Sequence, residues 1–295
     1  MSFLVTTDSG CDLPFELLKE RGITPLMMSY TMNGADCKDT MNANDCHMFY
    51  EGMRSGMLPR TSQLNPSEFI DFWSPLLSAG LPILHISLGS RVSGTWQNGC
   101  TAAKMLMEKN PDLRISCVDS TLCSTGYGML ALEAARMRDE GKSFDEAVSW
   151  VEDNKIRVNT WYTTDELLYL RRSGRCSRAS AIIGTALKIC PILNLDAEGH
   201  LIVQERVRGL NKTVHRLHQI IGDTVENADD QILYVCHSDI PEQAKEFGES
   251  LQKTFGFKEV RYPYIGAIIG SNCGPGLMAA FYFGKPRTMD GYKGK

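Results

Sequence analysis

Residues 83–97 read ILHISLGSRVSGTWQ. An apolar run that stops at Leu88 and gives way to glycine and hydroxyls has the length and boundaries of a buried strand. The NGCTAAKMLMEK pattern over 98–109 predicts a helix, which leaves 89–97 as the strand-to-helix turn. Such a turn ends at a helix N-terminus, where unpaired backbone N–H groups and the positive end of the dipole favour an anion. Ser90, Ser93 and Thr95 add hydroxyl donors among small neighbours. The turn therefore reads as a pocket for one carboxylate or phosphate, or more plainly as a helix start capped by Ser93 or Thr95.

Strand–turn–helix units flank this one. FLVTT (3–7) is a strand ended by Asp8-Ser9-Gly10-Cys11-Asp12, and LPFELLKERG is a helix with Pro14 in its first turn and Asp12 as its expected cap. A strand is predicted over 23–30, then a hairpin at Asn33-Gly34 and a helix over 44–56. Residues 58–67 carry two prolines and several hydroxyls without apolar periodicity, and read as a loop. Thr61 and Ser62 in that loop matter only if they face the Ser93 turn. A strand over 113–118 leads through the polar turn 119–128 into the helix MLALEAARMRDEG. Gly126, Gly128 and Ala131 fit a dinucleotide fingerprint by letter, but lie too far past the strand to serve one and read as packing glycines. Units of this kind up to about residue 150 predict a parallel sheet covered by helices, an α/β/α N-terminal domain over 1–155.

The rhythm then changes. A short strand over 161–164 precedes an amphipathic helix over 165–172, a basic loop at 173–175 and a helix over 177–188. A hairpin follows (189–195 and 200–207), then helices at 213–225 and 241–254 alternating with strands at 231–236 and 259–262. A glycine-dense loop over 266–276 leads to the strand LMAAFYF. This half predicts a two-layer α/β domain with a mixed sheet over 156–295, and the whole chain is α/β.

With 295 residues, 43% hydrophobic and 22% charged, the chain has the make-up of an ordinary globular protein. Its net charge of −4 supplies no cationic excess for nucleic acid. The N-terminus has no signal-peptide pattern and no window resembles a membrane span, so a cytoplasmic location is expected, with at most transient membrane contact. The ten cysteines include no CxxC pair and read as buried free thiols, and His47, His200, His215 and His218 have no zinc-ligand partners at useful spacing. No metal or cofactor is implied.

No GxSxG elbow surrounds Ser93 and no Walker A motif is present. His85 lies within its strand and reads as a core residue. A hydroxyl-lined anion site beside an apolar core containing 14 methionines suits an amphiphile with an acid head and a hydrocarbon tail. A hydrolase or acyl transferase using Ser93, and a carrier of a different acidic lipid, are the alternatives.

Taken in order, Thr7-Asp8-Ser9 with Asp12-Leu13-Pro14, Thr61-Ser62-Gln63 with Pro66 and Phe69, Ile86-Ser87 with Ser90 and Ser93-Gly94-Thr95-Trp96-Gln97, Asp119-Ser120 with Gly126 and Gly128, Leu167 to Arg175, Arg206 to Gly209, and Gly274-Pro275-Gly276 resemble the DegV family of bacterial fatty-acid-binding proteins. These are the acyl carriers often called FakB. The resemblance implies two α/β domains with a long-chain fatty acid held between them. By that likeness Thr61 and Ser93 bind the carboxylate, supported by Ser62, Gly94, Thr95 and Asn272, and the chain itself has no catalytic residues. It also implies a partner, a separate dihydroxyacetone-kinase-like fatty acid kinase that turns the presented acid into acyl-phosphate for phospholipid synthesis. Arg171, Arg175, Arg206 and Arg208 are the candidates for facing it or lining the mouth. The chain departs from the family pattern at Asn272, where His is common, at Ser173-Gly174-Arg175-Cys176, where Gly-Gly-Arg-Ile is common, and at Leu64, where Pro is usual. Asn donates a hydrogen bond but carries no positive charge, so carboxylate binding is compatible with altered coupling to the kinase.

Overall fold

A computed structural model of the chain describes residues 2–164, 167–176 and 189–292. The helix expected over 177–188 lies outside the described residues. Strands β1 (Leu4–Asp8), β2 (Ile23–Leu26), β6 (Ile83–Ser87) and β7 (Ile115–Asp119) form a parallel sheet in the order β2-β1-β6-β7. Alternation sorts its side chains: Val5, Leu84, Ile86 and Val118 join one core with residues of α1 (Phe15–Glu20), α5 (Thr125–Asp139) and α6 (Phe144–Asn154). Ile83 and Ile115 join the other with residues of α3 (Pro66–Leu77) and α4 (Thr95–Lys109). His85 faces α3, fully buried, with its ring edge on Phe69 and Trp73 and its Nδ1 3.0 Å from the Thr6 hydroxyl. Burial pushes its imidazole down to about 3, so it packs as a neutral core residue.

The strand expected over 23–30 is broken in two. Beyond Leu26 the chain leaves the parallel sheet, and the Met28 N–H donates to the Ser9 hydroxyl at 3.1 Å. Strand β3 (Ser29–Met32) then pairs with β4 (Ala35–Lys38) and with β5 (Arg60–Thr61) in a separate antiparallel sheet. Asn33 (φ 52°) and Gly34 (φ 78°) turn the β3–β4 hairpin, as the Asn-Gly pair predicts. Helix α2 (Ala43–Arg54) follows β4.

Strands β8 (Val158–Thr163), β9 (Ile189–Leu195), β10 (Leu201–Arg208), β11 (Ile232–His237), β12 (Glu259–Arg261) and β13 (Met278–Phe283) form the mixed sheet, ordered β10-β9-β8-β13-β11-β12 and antiparallel except between β11 and β12. One face, carrying Trp161, Ile192, Leu233, Val235 and Tyr282, packs with Leu217 and Ile220 of α8 (Leu210–Thr224) and Phe247 and Leu251 of α9 (Pro241–Phe255). Tyr162, Leu193, Ala279 and Phe281 on the other face join the same core as Val5, Tyr127 and Leu130. Helix α5 thus lies between the two sheets. Short helices α7 (Leu167–Ser173) and α10 (Ala267–Cys273) complete the described elements, none of which is a helix long and apolar enough to cross a membrane.

Four local expectations are corrected. Helix α4 begins at Thr95 rather than 98, and α5 at Thr125 rather than Met129. Gly126 and Gly128 therefore sit inside a helix, where a Cβ at 128 would lie 2.7 Å from Leu13 Cδ1 and 3.1 Å from the Cys11 carbonyl. Residues 267–273 form α10 instead of a loop, with Gly274 (φ 78°) ending the helix. Asp12 does not cap α1: it adopts φ 53°, and its carboxylate accepts the Ser124 hydroxyl and the Gly266 N–H, the latter at 2.9 Å.

Asp8 is wholly buried at the end of β1, accepting the Tyr127 hydroxyl and the Leu88 N–H at 3.1 Å. Burial raises its carboxyl from 3.8 to about 6, against the pull of those hydrogen bonds, and raises Asp39 likewise to about 6. The folded chain therefore holds these protons to higher pH than the unfolded chain, so the stability they contribute is full below about 3.8 and is lost as pH rises through about 6. Urea unfolding should show the midpoint falling between pH 4 and 7. Asp8→Asn should flatten that slope by on the order of 3 kcal/mol, and an Asp8→Asn profile parallel to the native one would contradict this account.

Candidate functional site

Strand β6 delivers the chain to a turn whose backbone is fixed from below. Gly89 donates its N–H to the Leu122 carbonyl at 2.8 Å, and a Cβ there would lie 2.9 Å from the Leu122 backbone, so only glycine allows the approach. Asp119 Oδ1 accepts the Ser90 and Thr121 N–H groups, each at 3.0 Å, joining this turn to the one after β7. The Val92 and Ser93 N–H groups both donate to the Gly89 carbonyl. The Ser93 hydroxyl oxygen accepts the Thr95 N–H at 3.2 Å and lies 2.9 Å from the Thr95 hydroxyl. Ser93 consequently does two things at once: it supports the first turn of α4, and it borders a cavity.

Strand β5 brings the second polar edge. Thr61 pairs with Tyr30, the Ser62 N–H donates to the Ser29 carbonyl at 3.4 Å, and the chain continues to Gln63. The Gln63 amide lies against Gly94 so closely that any Cβ at 94 would collide with it. The loop at 61–63 therefore faces the Ser93 turn, the condition on which its candidacy depended.

Both edges open on a cavity of about 580 Å³. Thr61, Ser62, Gln63, Ser90, Ser93 and Gly94 form its polar border, and Asn272 reaches it from α10. Apolar side chains form most of the remaining wall: Met28 and Leu88, Ile265, Ile268 and Ile269, Leu170, Leu201, Leu277, Ala279 and Phe281. Ala279 and Phe281 belong to the inner face of the mixed sheet, and Leu88 follows β6 of the parallel one. The volume lies within the range of ligand sites and the lining has their usual character, mostly apolar with a few convergent polar groups.

Of the site residues expected from the sequence, Thr61, Ser62, Ser93, Gly94, Asn272 and Arg175 border this one cavity. Thr95 does not; it is completely buried beneath Ser93. Asn272 donates one amide hydrogen to the Ile268 carbonyl at 2.9 Å, within its own helix. Arg175 donates to the Val92 carbonyl at 3.4 Å and the Ser173 carbonyl at 2.6 Å. Among the described residues it forms no ion pair, so its charge stands at the lip beside the Ser93 turn. Arg171 is exposed in the last turn of α7, and Arg206 and Arg208 are exposed on the edge strand β10; none of the three borders the cavity.

Arg91 and Gln63 also border the cavity, and the sequence reading assigned them no role. Arg91 pairs with Glu198 at 2.5 Å, bridging the Ser93 turn to the β9–β10 hairpin. For Arg91 the available signal was adjacency to Ser93; for Gln63 it was membership of the Thr61-Ser62-Gln63 motif. No group of three His, Cys, Asp or Glu among the described residues is arranged to hold a metal ion.

The family model described as an uncharacterised protein of the DegV family matches residues 2–285. A DegV domain-containing protein of Clostridium perfringens is 34% identical over 283 residues, covering 96% of this chain and 97% of its own. A DegV family protein from Thermus thermophilus, whose structure is described in terms of fatty acid binding, superposes with a TM-score of 0.85 at 25% identity, over 97% of this chain and 100% of that one. A fatty acid binding DegV family protein from Streptococcus agalactiae does so with a TM-score of 0.82 at 27% identity, over 97% and 99%. Two sheets clasping one shared helix, with the Ser93 turn and the Thr61 edge meeting over an apolar cavity, are thus accompanied by a match along nearly the whole sequence, and the chain belongs to the DegV family.

Proposed function

We propose that this chain binds a long-chain fatty acid, with the carboxylate on the Thr61 and Ser93 hydroxyls and the alkyl tail along the apolar walls. The observation that carries this reading is the cavity of about 580 Å³ in which the hydroxyls of two separate loops meet a mostly apolar lining. The fatty acid binding described for the Thermus and Streptococcus relatives supports it. Ser62, Gly94 and Asn272 border the head position, and Thr95 acts through Ser93. Removing the tail from water contributes roughly 0.8 kcal/mol per methylene. Desolvating the head and ordering the chain offset much of that gain, which is why hydroxyl donors at the head are needed. The hydrolase alternative is disfavoured by the Ser93 hydroxyl itself, whose hydrogen-bond partners among the described residues are the Thr95 hydroxyl and N–H, neither of them a base.

The reading treats 1–155 and 156–295 as two domains. Strands of the parallel sheet fall within 4–119 and those of the mixed sheet within 158–283, which supports a division near 155. In this proposal the protein is a cytoplasmic carrier that presents the head group to a separate fatty acid kinase. Arg91 and Arg175 bring charge to the cavity that holds the head, and the exposed Arg171, Arg206 and Arg208 offer a cationic face for a partner that handles phosphate.

Three outcomes follow. Ser93→Ala and Thr61→Val should each weaken oleate or palmitate binding by roughly 10- to 100-fold in a fluorescence displacement assay, the worth of a hydrogen bond to a charged group. Unchanged affinity in both, with the methyl ester bound as tightly as the acid, would remove the head group from this site. Ala279→Phe, which fills the wall from β13, should shorten the longest acid retained in native mass spectrometry; retention of the same chain lengths would place the tail elsewhere. Arg206→Glu with Arg208→Glu should lower acyl-phosphate formation by an added fatty acid kinase and ATP while fatty acid affinity stays constant. Undiminished formation would free those arginines from any docking role.

A further inference from the structure

Helix α4 lies across β7, the edge strand of the parallel sheet, and two cysteines meet where they cross. The Trp96 indole N–H donates to the Cys117 carbonyl at 2.9 Å, pinning the helix over the strand. One turn later the Cys100 thiol donates to the same carbonyl at 3.8 Å, and the Cys117 sulfur lies 4.0 Å from the Trp96 carbonyl. Gly99 makes this approach possible, since a Cβ there would be 2.8 Å from the Cys117 sulfur. Each sulfur thus lies against the other's segment, Cys100 beside the Cys117 backbone and Cys117 beside Gly99.

Proximity combined with access sets this pair apart. Six of the ten cysteines are buried; Cys37, Cys100, Cys117 and Cys123 are partly exposed, and of these Cys100 and Cys117 lie against each other where α4 crosses β7. Burial drives the Cys11, Cys46, Cys236 and Cys273 thiols up and makes them inert. Cys100 moves the other way, its thiol lowered by its pairing with Cys117, while Cys117 is raised by the same pairing and by burial. A partly exposed sulfur with a second cysteine beside it is the arrangement of a redox-responsive cysteine with its resolving partner.

We propose that Cys100 and Cys117 are a peroxide-responsive dithiol that closes to a disulfide joining α4 to β7. The Cys100 thiolate attacks one oxygen of hydrogen peroxide; an S–O bond forms, the O–O bond breaks, and the departing hydroxide takes a proton to become water. Cys117 then attacks the Cys100 sulfur, an S–S bond forms, and the S–O bond breaks with release of a second water. Two thiols lose two electrons in all, and one peroxide gains them. The reduced pair is restored by thiol–disulfide exchange with a dithiol reductant. The staple lies just beyond the turn of α4 that Ser93 supports, but the inference does not depend on what the cavity holds.

The test is peroxide titration of the full-length protein followed by thiol blocking and non-reducing tryptic mapping. A linkage between the peptide that carries Cys100 (92–104) and the one that carries Cys117 (115–136) is expected, with loss of two hydrogens from the intact mass and reversal by dithiothreitol. Cys123 shares the second peptide, so fragmentation must assign the sulfur, and Cys123→Ser should leave the linkage in place. In Cys117→Ser, where nothing resolves the first oxidation product, dimedone should trap a sulfenic acid at Cys100. Free thiols at both positions after other cysteines have oxidised, or over-oxidation of Cys100 to the sulfinic acid while Cys117 stays reduced, would overturn the proposal; the wild-type map decides even if a variant fails to fold.

Discussion

Helix α5 is packed from two directions at once. Its residues from Thr125 through Ala131 are buried without interruption, against the parallel sheet on one side and the inner face of the mixed sheet on the other. Space is tight at two points: a Cβ at 126 would lie 3.3 Å from the Phe281 ring of the mixed sheet, and one at 128 would lie 2.7 Å from Leu13 Cδ1 in the loop after β1, and glycine stands at both. The buried acids follow from the same geometry. Asp8 holds the Tyr127 hydroxyl, and Asp12 holds Ser124 just before α5 and Gly266 just before α10. These ties fix the helix against β1 and set where α10, a cavity wall, begins.

The cavity exists because the sheets do not close fully around that helix. Beyond the C-terminal end of β6 the inner face of the mixed sheet still presents Ala279 and Phe281, and the polypeptide that could fill the gap turns away at Gly89 and supplies Ser90 to Gly94 as a rim. Rim and wall therefore come from different parts of the chain and divide the chemistry between them: short hydroxyls on turns whose backbone is fixed by hydrogen bonds at one edge, and mostly apolar side chains elsewhere. An amphiphile satisfies both, whereas a fully polar ligand would leave the wall's apolar surface unpaid for.

Much of this was legible in the sequence because it is written in local periodicity. The β6 strand, the α4 helix, the Asn33-Gly34 hairpin and the β9–β10 hairpin each follow from spacing and turn chemistry that need no tertiary information. The errors fall where a tertiary demand overrides a local one. Gly126 and Gly128 disfavour helix in isolation and are helical here because Phe281 crowds one and Leu13 with the Cys11 carbonyl crowds the other; the glycines around α10 likewise suggested a loop. Asp12 has the position of a cap, yet its carboxylate goes to partners more than a hundred residues away in sequence. Cys117 sits in an apolar run and is nonetheless partly exposed, because nothing local says that β7 is an edge. For the site, hydroxyl-rich turns could be found one by one, but the proximity of Gln63 to Gly94, the burial of Thr95 and the position of Arg175 at the lip are facts of the fold alone.

The account rests on where an acid's head and tail lie. A crystal structure of the protein purified in the presence of oleate addresses this most directly. The account predicts a carboxylate within hydrogen-bond distance of Thr61 Oγ1 and Ser93 Oγ, with the alkyl chain running along Phe281 and Ile268. A head group seated away from both hydroxyls, or a cavity closed by its own side chains with oleate bound elsewhere, would contradict it.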